Sequence, residues 1–60
     1  MTRRAPGTLA AQESAAADLA RDGEDVDTIL DALARVWPRE PRPHLARVAQ
    51  RALNTCRVAA

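Results

Sequence analysis

The chain is 60 residues long, with 28% charged residues and a formal net charge of +1. This length allows one small domain, and short side chains on so few residues cannot readily enclose a pocket of catalytic size. No apolar run reaches the length of a signal-peptide core or a membrane span, because acidic residues interrupt the alanine-rich stretch. We therefore expect a cytoplasmic protein that does not enter a membrane and is not an enzyme.

The residue types also argue against a cofactor, a metal or a stabilising cross-link. Cys56 is the only cysteine, so no internal disulfide can form, and Cys56 with His44 cannot complete a structural zinc site. With 14 alanines and no Phe or Tyr, the core has few large side chains. Small domains without disulfides or metals commonly depend on a second chain. We therefore expect another polypeptide, a second copy or a different partner, to complete the fold.

The first part of the chain predicts a tail followed by a helix. Residues 1–7 contain a proline, a glycine and two arginines, which is typical of a disordered basic tail, and residues 8–60 are predicted to form a single helical domain. A helix is predicted over residues 8–22, with Thr8 as its N-cap and Gly23 at its C-terminal end. Its apolar stripe is weak and consists of Leu9, Ala16, Leu19 and Ala20.

The second predicted helix, residues 26–37, has the clearest pattern in the chain. Asp25 is a good N-cap, and Pro38 excludes the helical conformation for the residue before it, so the helix ends there. Apolar residues recur at helical spacing along one face. They are Val26, Ile29, Leu30, Leu33, Val36 and Trp37. This face is therefore the principal apolar surface that the sequence predicts.

A proline-rich connector and a basic helix complete the chain. Residues 38–42 hold two prolines, which favour an extended connector spanning roughly 15–19 Å. Pro43 suits the first position of a third helix, predicted over residues 43–57. The apolar stripe of that helix contains Leu45, Val48, Ala49, Ala52, Leu53 and Cys56.

Charge is divided unevenly between these predicted helices. Residues 8–37 hold seven acidic residues and two arginines, whereas residues 38–60 hold five arginines and one acidic residue. The basic third helix is therefore expected to dock against the two acidic helices. The sequence predicts an all-α fold, in which three short helices form a small bundle that oligomerisation or a partner completes.

The stripe of the second helix predicts a non-catalytic protein-interaction module that self-associates or docks on a larger protein and regulates it. The same stripe would serve equally well as the chain's own core, and the two roles are compatible if a partner completes the core. Tryptophan is enriched at the energetic centres of interfaces, and alanine-rich neighbours leave it incompletely covered. The predicted partner-binding residues are Ile29, Leu30, Leu33, Trp37, Leu45 and Leu53.

The alternative is a small dimeric DNA-binding regulator that uses the basic face of the third helix, since arginine, glutamine and asparagine contact phosphates and base edges. Its candidate residues are Arg42, His44, Arg47, Gln50, Arg51 and Asn54. A helix-turn-helix uses a turn of three or four residues, whereas the connector before this helix is predicted to be long and stiff. The absence of lysine, together with abundant arginine and alanine, is also typical of a GC-rich genome and so weakens the nucleic-acid interpretation.

Two further residues have simple structural interpretations. His44, near the start of the third helix, is predicted to be solvated, and the helix dipole there opposes its protonation. Cys56 falls on the apolar stripe and is predicted to be a small buried residue rather than a reactive thiol.

Overall fold

The computed structural model describes residues 8–59, and in that range it contains three helices and no strand. The helices are α1 (Thr8–Arg21), α2 (Val26–Val36) and α3 (Arg42–Ala59). All three pack against one another, so the predicted all-α bundle is confirmed. No helix in the described part of the chain is long and apolar enough to cross a membrane. The tail predicted for residues 1–7 lies outside the described residues.

The turn between α1 and α2 ends the first helix through a glycine. Gly23 has a φ of +92°, a left-handed conformation that side chains disfavour. The Gly23 backbone N–H donates to the Ala20 carbonyl and the Glu24 N–H to the Leu19 carbonyl, both at 3.1 Å. These two bonds form a Schellman motif and satisfy carbonyls at the end of α1. The predicted role of Gly23 is therefore confirmed.

Both ends of α2 are set by side-chain and backbone chemistry that is local in sequence. The Asp25 carboxylate accepts a hydrogen bond from the Thr28 backbone N–H at 2.9 Å, as expected of an N-cap. This bond holds the pKa of Asp25 below its ordinary value of 3.8. At the other end Trp37 adopts φ −122° and ψ 68°, outside the helical region, because Pro38 follows it.

The connector between α2 and α3 is a tight turn, so the predicted extended geometry is wrong. The Glu40 N–H donates to the Trp37 carbonyl at 3.2 Å, which closes a turn over residues 37–40. The Leu45 N–H donates to the Pro41 carbonyl at 3.2 Å and begins the hydrogen bonding of α3. Proline fixes φ near −65°, a value that suits turns and first helical turns as well as extended chain. The prolines here therefore serve the turn and the helix start.

The core combines large side chains from α2 and α3 with small ones from α1. Its fully or almost fully enclosed members are Ala16, Ala20, Ile29, Leu33, Leu45, Val48 and Ala49. The alanines let the α1 backbone approach its neighbours closely. Leu9, which the sequence pattern assigned to the α1 stripe, is instead 47% exposed. Most of the enclosed apolar volume therefore belongs to α2 and α3.

Candidate interaction surfaces

Three of the six predicted partner-binding residues are the chain's own core. Ile29 and Leu45 have no exposed surface, and Leu33 has 1%. They come from α2 and α3 and lie in one apolar cluster. While the bundle is closed, these three side chains cannot contact a partner.

The other three predicted residues, Leu30, Trp37 and Leu53, are partly exposed and pack against the rim of the core. Leu30 and Trp37 are seven positions apart, so they lie two turns apart on the same side of α2. Two smaller partly exposed residues share this side. We call this strip the α2 edge, and it consists of Val26, Leu30, Ala34 and Trp37. Three of its members belong to the predicted stripe, and the remaining accessible stripe residue, Val36, is 65% exposed outside this edge.

A basic face lies on α3 and consists of Arg47, Gln50, Arg51 and Asn54. All four side chains are exposed, and their spacing places them on one side of the helix. The Gln50 Nε2 donates to the Asn54 Oδ1 at 3.2 Å. The Arg51 Nη1 lies 3.9 Å from the Glu13 Oε2, with 78% and 45% of the two side chains exposed. Arg42, also predicted for this surface, is exposed at the first position of α3.

His44 is partly exposed and joins a polar network through a hydrogen bond to the enclosed Gln12, so it is less solvated than the sequence predicted. The His44 Nε2 lies 2.8 Å from the Gln12 Oε1, and the Gln12 Nε2 donates to the Glu40 Oε2 at 2.9 Å. Because an amide oxygen only accepts hydrogen bonds, the His44 Nε2 is the donor in the first contact. His44 is therefore turned toward α1 and away from the basic face.

Gln12 is the centre of this polar network and was not singled out by the sequence pattern. It has no exposed surface, and it joins α1 to both the connector and α3. A signal for it exists, because Gln12 precedes Ala16 and Ala20 at intervals of four residues and so continues the buried row of α1. Its hydrogen-bond partners give no such signal, since they lie 28 and 32 positions away.

A cleft runs between α1 and α3 on a side that α2 does not line. It has a volume of about 560 Å³ and is lined by Glu13, Ala17, Arg21, Val48, Arg51, Ala52, Thr55 and Cys56. Its walls are mainly apolar, and charged side chains stand at its rim. Cys56 is a free, partly buried thiol in this wall, and its Sγ lies 3.8 Å from the Ala20 carbonyl oxygen. The cleft was not predicted, because it depends on how two distant helices pack.

The described residues contain no group of three or more His, Cys, Asp or Glu side chains that could hold a metal ion. Comparison of the chain with models of protein families, with curated proteins and with solved structures gave no match. The α2 edge, the basic face and the cleft are therefore the features from which a function can be proposed.

Proposed function

We propose that this chain is a non-catalytic protein-interaction module, which docks on another polypeptide through the α2 edge and regulates it. The supporting observation is that Trp37, the only aromatic residue, stays partly exposed beside the core after the three helices have packed. Covering a partly exposed Trp and Leu releases water from apolar surface, which favours association. A reducing cytoplasm suits the free thiol of Cys56.

Docking of this kind leaves the bundle closed. Leu30 and Trp37 are accessible at the rim, whereas the neighbouring Ile29 and Leu33 are enclosed. A partner therefore needs an apolar surface that matches two turns of helix, and the module can bind without unfolding. Asp27 is exposed one turn before Leu30, so basic groups on the partner would be favoured beside the apolar contact.

Affinity capture from the native host, with quantitative mass spectrometry, tests this proposal through a matched pair of α2 variants. Trp37→Ala truncates the α2 edge, whereas Val36→Ala truncates an apolar side chain that is 65% exposed outside it. We expect one partner to be recovered by the wild type and by Val36→Ala, and to be reduced roughly 30-fold by Trp37→Ala, as for an interface hot spot.

Circular dichroism must show that the Trp37→Ala variant keeps its helix content, so that lost capture reports lost contact. Arg47→Ala serves as a second control, because Arg47 belongs to the basic face. A partner that Trp37→Ala retains and Arg47→Ala loses would contradict docking through the α2 edge.

The second candidate function is DNA binding by a dimer through the basic face. The observation that favours it is the tight turn over residues 37–40. This turn makes the five-residue connector compact, whereas an extended connector argued against a helix-turn-helix arrangement. The exposed Arg, Gln and Asn side chains of the basic face include the types that pair with guanine and adenine edges. Glu13, close to Arg51, reduces the positive potential at one side of this face.

Fluorescence anisotropy with duplex DNA over a range of salt concentrations separates the two candidates. Each phosphate neutralised by an arginine steepens the fall of log affinity with log salt by roughly 0.9. For a protein-docking module we expect weak, salt-labile binding that does not depend on sequence. Nanomolar, sequence-dependent binding at physiological salt would support the second candidate and overturn the first.

A further inference from the structure

The cleft leaves one side of the α1–α3 helix pair uncovered. Its eight lining residues come from α1 and α3 alone, and the apolar ones are Ala17, Val48, Ala52 and Cys56. Covering apolar walls of this kind with another surface releases water from them, and this release favours association. The charges at the rim indicate what that surface is.

We infer that the occupant is a second copy of this chain, related by a two-fold axis that passes close to Ala17. Glu13, Ala17 and Arg21 line the cleft at intervals of four residues, so an acidic and a basic side chain lie symmetrically about Ala17. Each lies about 6 Å from Ala17 along the helix axis, at 1.5 Å per residue. When two α1 helices pack antiparallel about this axis, Glu13 of each copy faces Arg21 of the other.

The same pattern disfavours a parallel arrangement of the two α1 helices. A parallel pair of α1 helices would bring Arg21 against Arg21, and like charges in contact oppose association. The antiparallel pair makes the same attractive contact twice, which is the property of an isologous dimer interface. The order of charges along α1 is therefore complementary to itself in the antiparallel orientation.

Side-chain size and the contacts already present allow this approach. Ala17 is small, and its exposed neighbours Ala10 and Ser14 on α1 are small as well, so two α1 axes can come within roughly 8 Å. Arg21 contacts Asp18, and Glu13 lies 3.9 Å from Arg51. These four side chains are between 45% and 78% exposed, and exposed pairs of this kind exchange at little cost.

The dimer uses a surface different from the α2 edge and does not rest on the proposed function. No residue of α2 lines the cleft, so the α2 edge stays free in both copies. Loss of the dimer and loss of partner docking are therefore separately measurable.

Sedimentation equilibrium with reciprocal charge exchange tests the inference on the full chain. Glu13→Arg and Arg21→Glu, each alone, put like charges together twice and are expected to raise the dimer dissociation constant roughly tenfold or more. The double variant restores opposite charges at both contacts between the copies, so its dissociation constant is expected to fall at least roughly threefold below that of either single variant. It stays above the wild-type value, because the exchanged charges lie beside Arg51 and Asp18 within each chain. Circular dichroism must show unchanged helix content.

Matched controls change the net charge equally on another helix. Asp31→Arg and Arg35→Glu alter exposed residues of α2, away from the cleft, and are expected to leave the dissociation constant unchanged. A chain that remains monomeric at about 1 mM, the upper end of a weak association, overturns the inference. A dissociation constant that stays as high in the double variant as in the single variants also contradicts the inference. The same holds for a dimer that Trp37→Ala weakens and the charge variants do not.

A cysteine cross-link gives the position of the axis independently of charge. On a Cys56→Ser background, Ala17→Cys places two thiols close to the two-fold axis, whereas Asp31→Cys places them on the outside of α2. Mild oxidation is expected to convert most of the first variant to a disulfide-linked dimer and little of the second. Equal cross-linking of the two variants contradicts an axis at Ala17.

Discussion

The interior of the bundle has an apolar part and a polar part, and the two contribute to the fold in different ways. The apolar part is centred on Ile29, Leu33 and Leu45, which have almost no exposed surface. The polar part is the Gln12 amide with its contacts to the connector and to α3. Apolar burial is non-directional and tolerates small shifts of one helix along another. Hydrogen bonds are directional, so the polar network specifies how α1 sits against the rest of the bundle.

The polar part is stable only because it is fully satisfied. No buried side-chain nitrogen or oxygen among the described residues lacks a hydrogen-bond partner. An unsatisfied buried amide costs roughly 1–3 kcal/mol, whereas a satisfied one contributes about 1 kcal/mol. Loss of an enclosed apolar side chain is therefore expected to lower the free energy of unfolding most. Loss of a polar partner lowers it chiefly through the groups that are left without a hydrogen bond.

The largest expected effect is in the apolar part. Leu33→Ala removes an enclosed side chain and leaves a cavity, so we expect the free energy of unfolding to fall by about 2–5 kcal/mol in urea titrations followed by circular dichroism. Val36→Ala, on the same helix but 65% exposed, is the control and is expected to change it by less than about 0.5 kcal/mol. Similar values for the two variants would contradict the enclosure of Leu33.

Two replacements of Gln12 sharpen the contrast between the two parts. Gln12→Ala removes two hydrogen bonds and leaves a cavity where the side chain was enclosed, and is expected to lower the free energy of unfolding by about 1–3 kcal/mol in the same titrations. Gln12→Leu fills the space, and the partly exposed Glu40 and His44 can turn to water, so its cost is expected to be smaller. A Leu variant as unstable as the Ala variant would show that the hydrogen bonds themselves, rather than the filled volume, hold α1 in place.

The exposed N-cap of α2 predicts a pH dependence that the buried amide of Gln12 does not. The pKa of Asp25 is lowered in the folded state, so its stabilisation is complete well above pH 3.8 and is lost as the pH falls below that value. Asp25→Ala is expected to lower the melting temperature at pH 7. Asp25→Asn keeps a capping side chain but does not titrate, so its stability should fall less between pH 5 and about pH 2.5. Parallel acid profiles for the Asp25→Asn variant and the wild type would contradict this role.

The smallest expected effect concerns the exposed ion pair between α1 and α3. Arg51 lies 3.9 Å from Glu13 and is 78% exposed, so Arg51→Ala is expected to change the free energy of unfolding by less than about 0.5 kcal/mol. Measurements at low and high salt check it, because any contribution should vanish as salt rises. A larger loss would mean that charge, and not only the two parts of the interior, holds α3 against α1.

The sequence by itself determined the local structure of this protein. The N-cap at Asp25, the left-handed Gly23 and the stop at Pro38 each act through neighbouring residues, so the three helices and their approximate ends were predictable. Helical spacing on α2 also identified the chain's strongest apolar face. These features depend on periodicity and on groups a few positions apart.

Only the tertiary structure decided which part of that face is enclosed. Ile29 and Leu33 point into the bundle, whereas Leu30 and Trp37 remain at its rim. The sequence of an amphipathic helix shows which face is apolar. How much of that face is buried depends on the side-chain sizes and distances of the neighbouring helices.

The polar network, the turn over residues 37–40 and the cleft were likewise decided by packing. Gln12 meets its partners across 28 and 32 positions of sequence, and the cleft exists only because α1 and α3 lie side by side. Proline at the connector was compatible with both an extended segment and a turn, and the structure has the turn. Contacts between residues so far apart are set by the arrangement of whole helices, which local propensity does not contain.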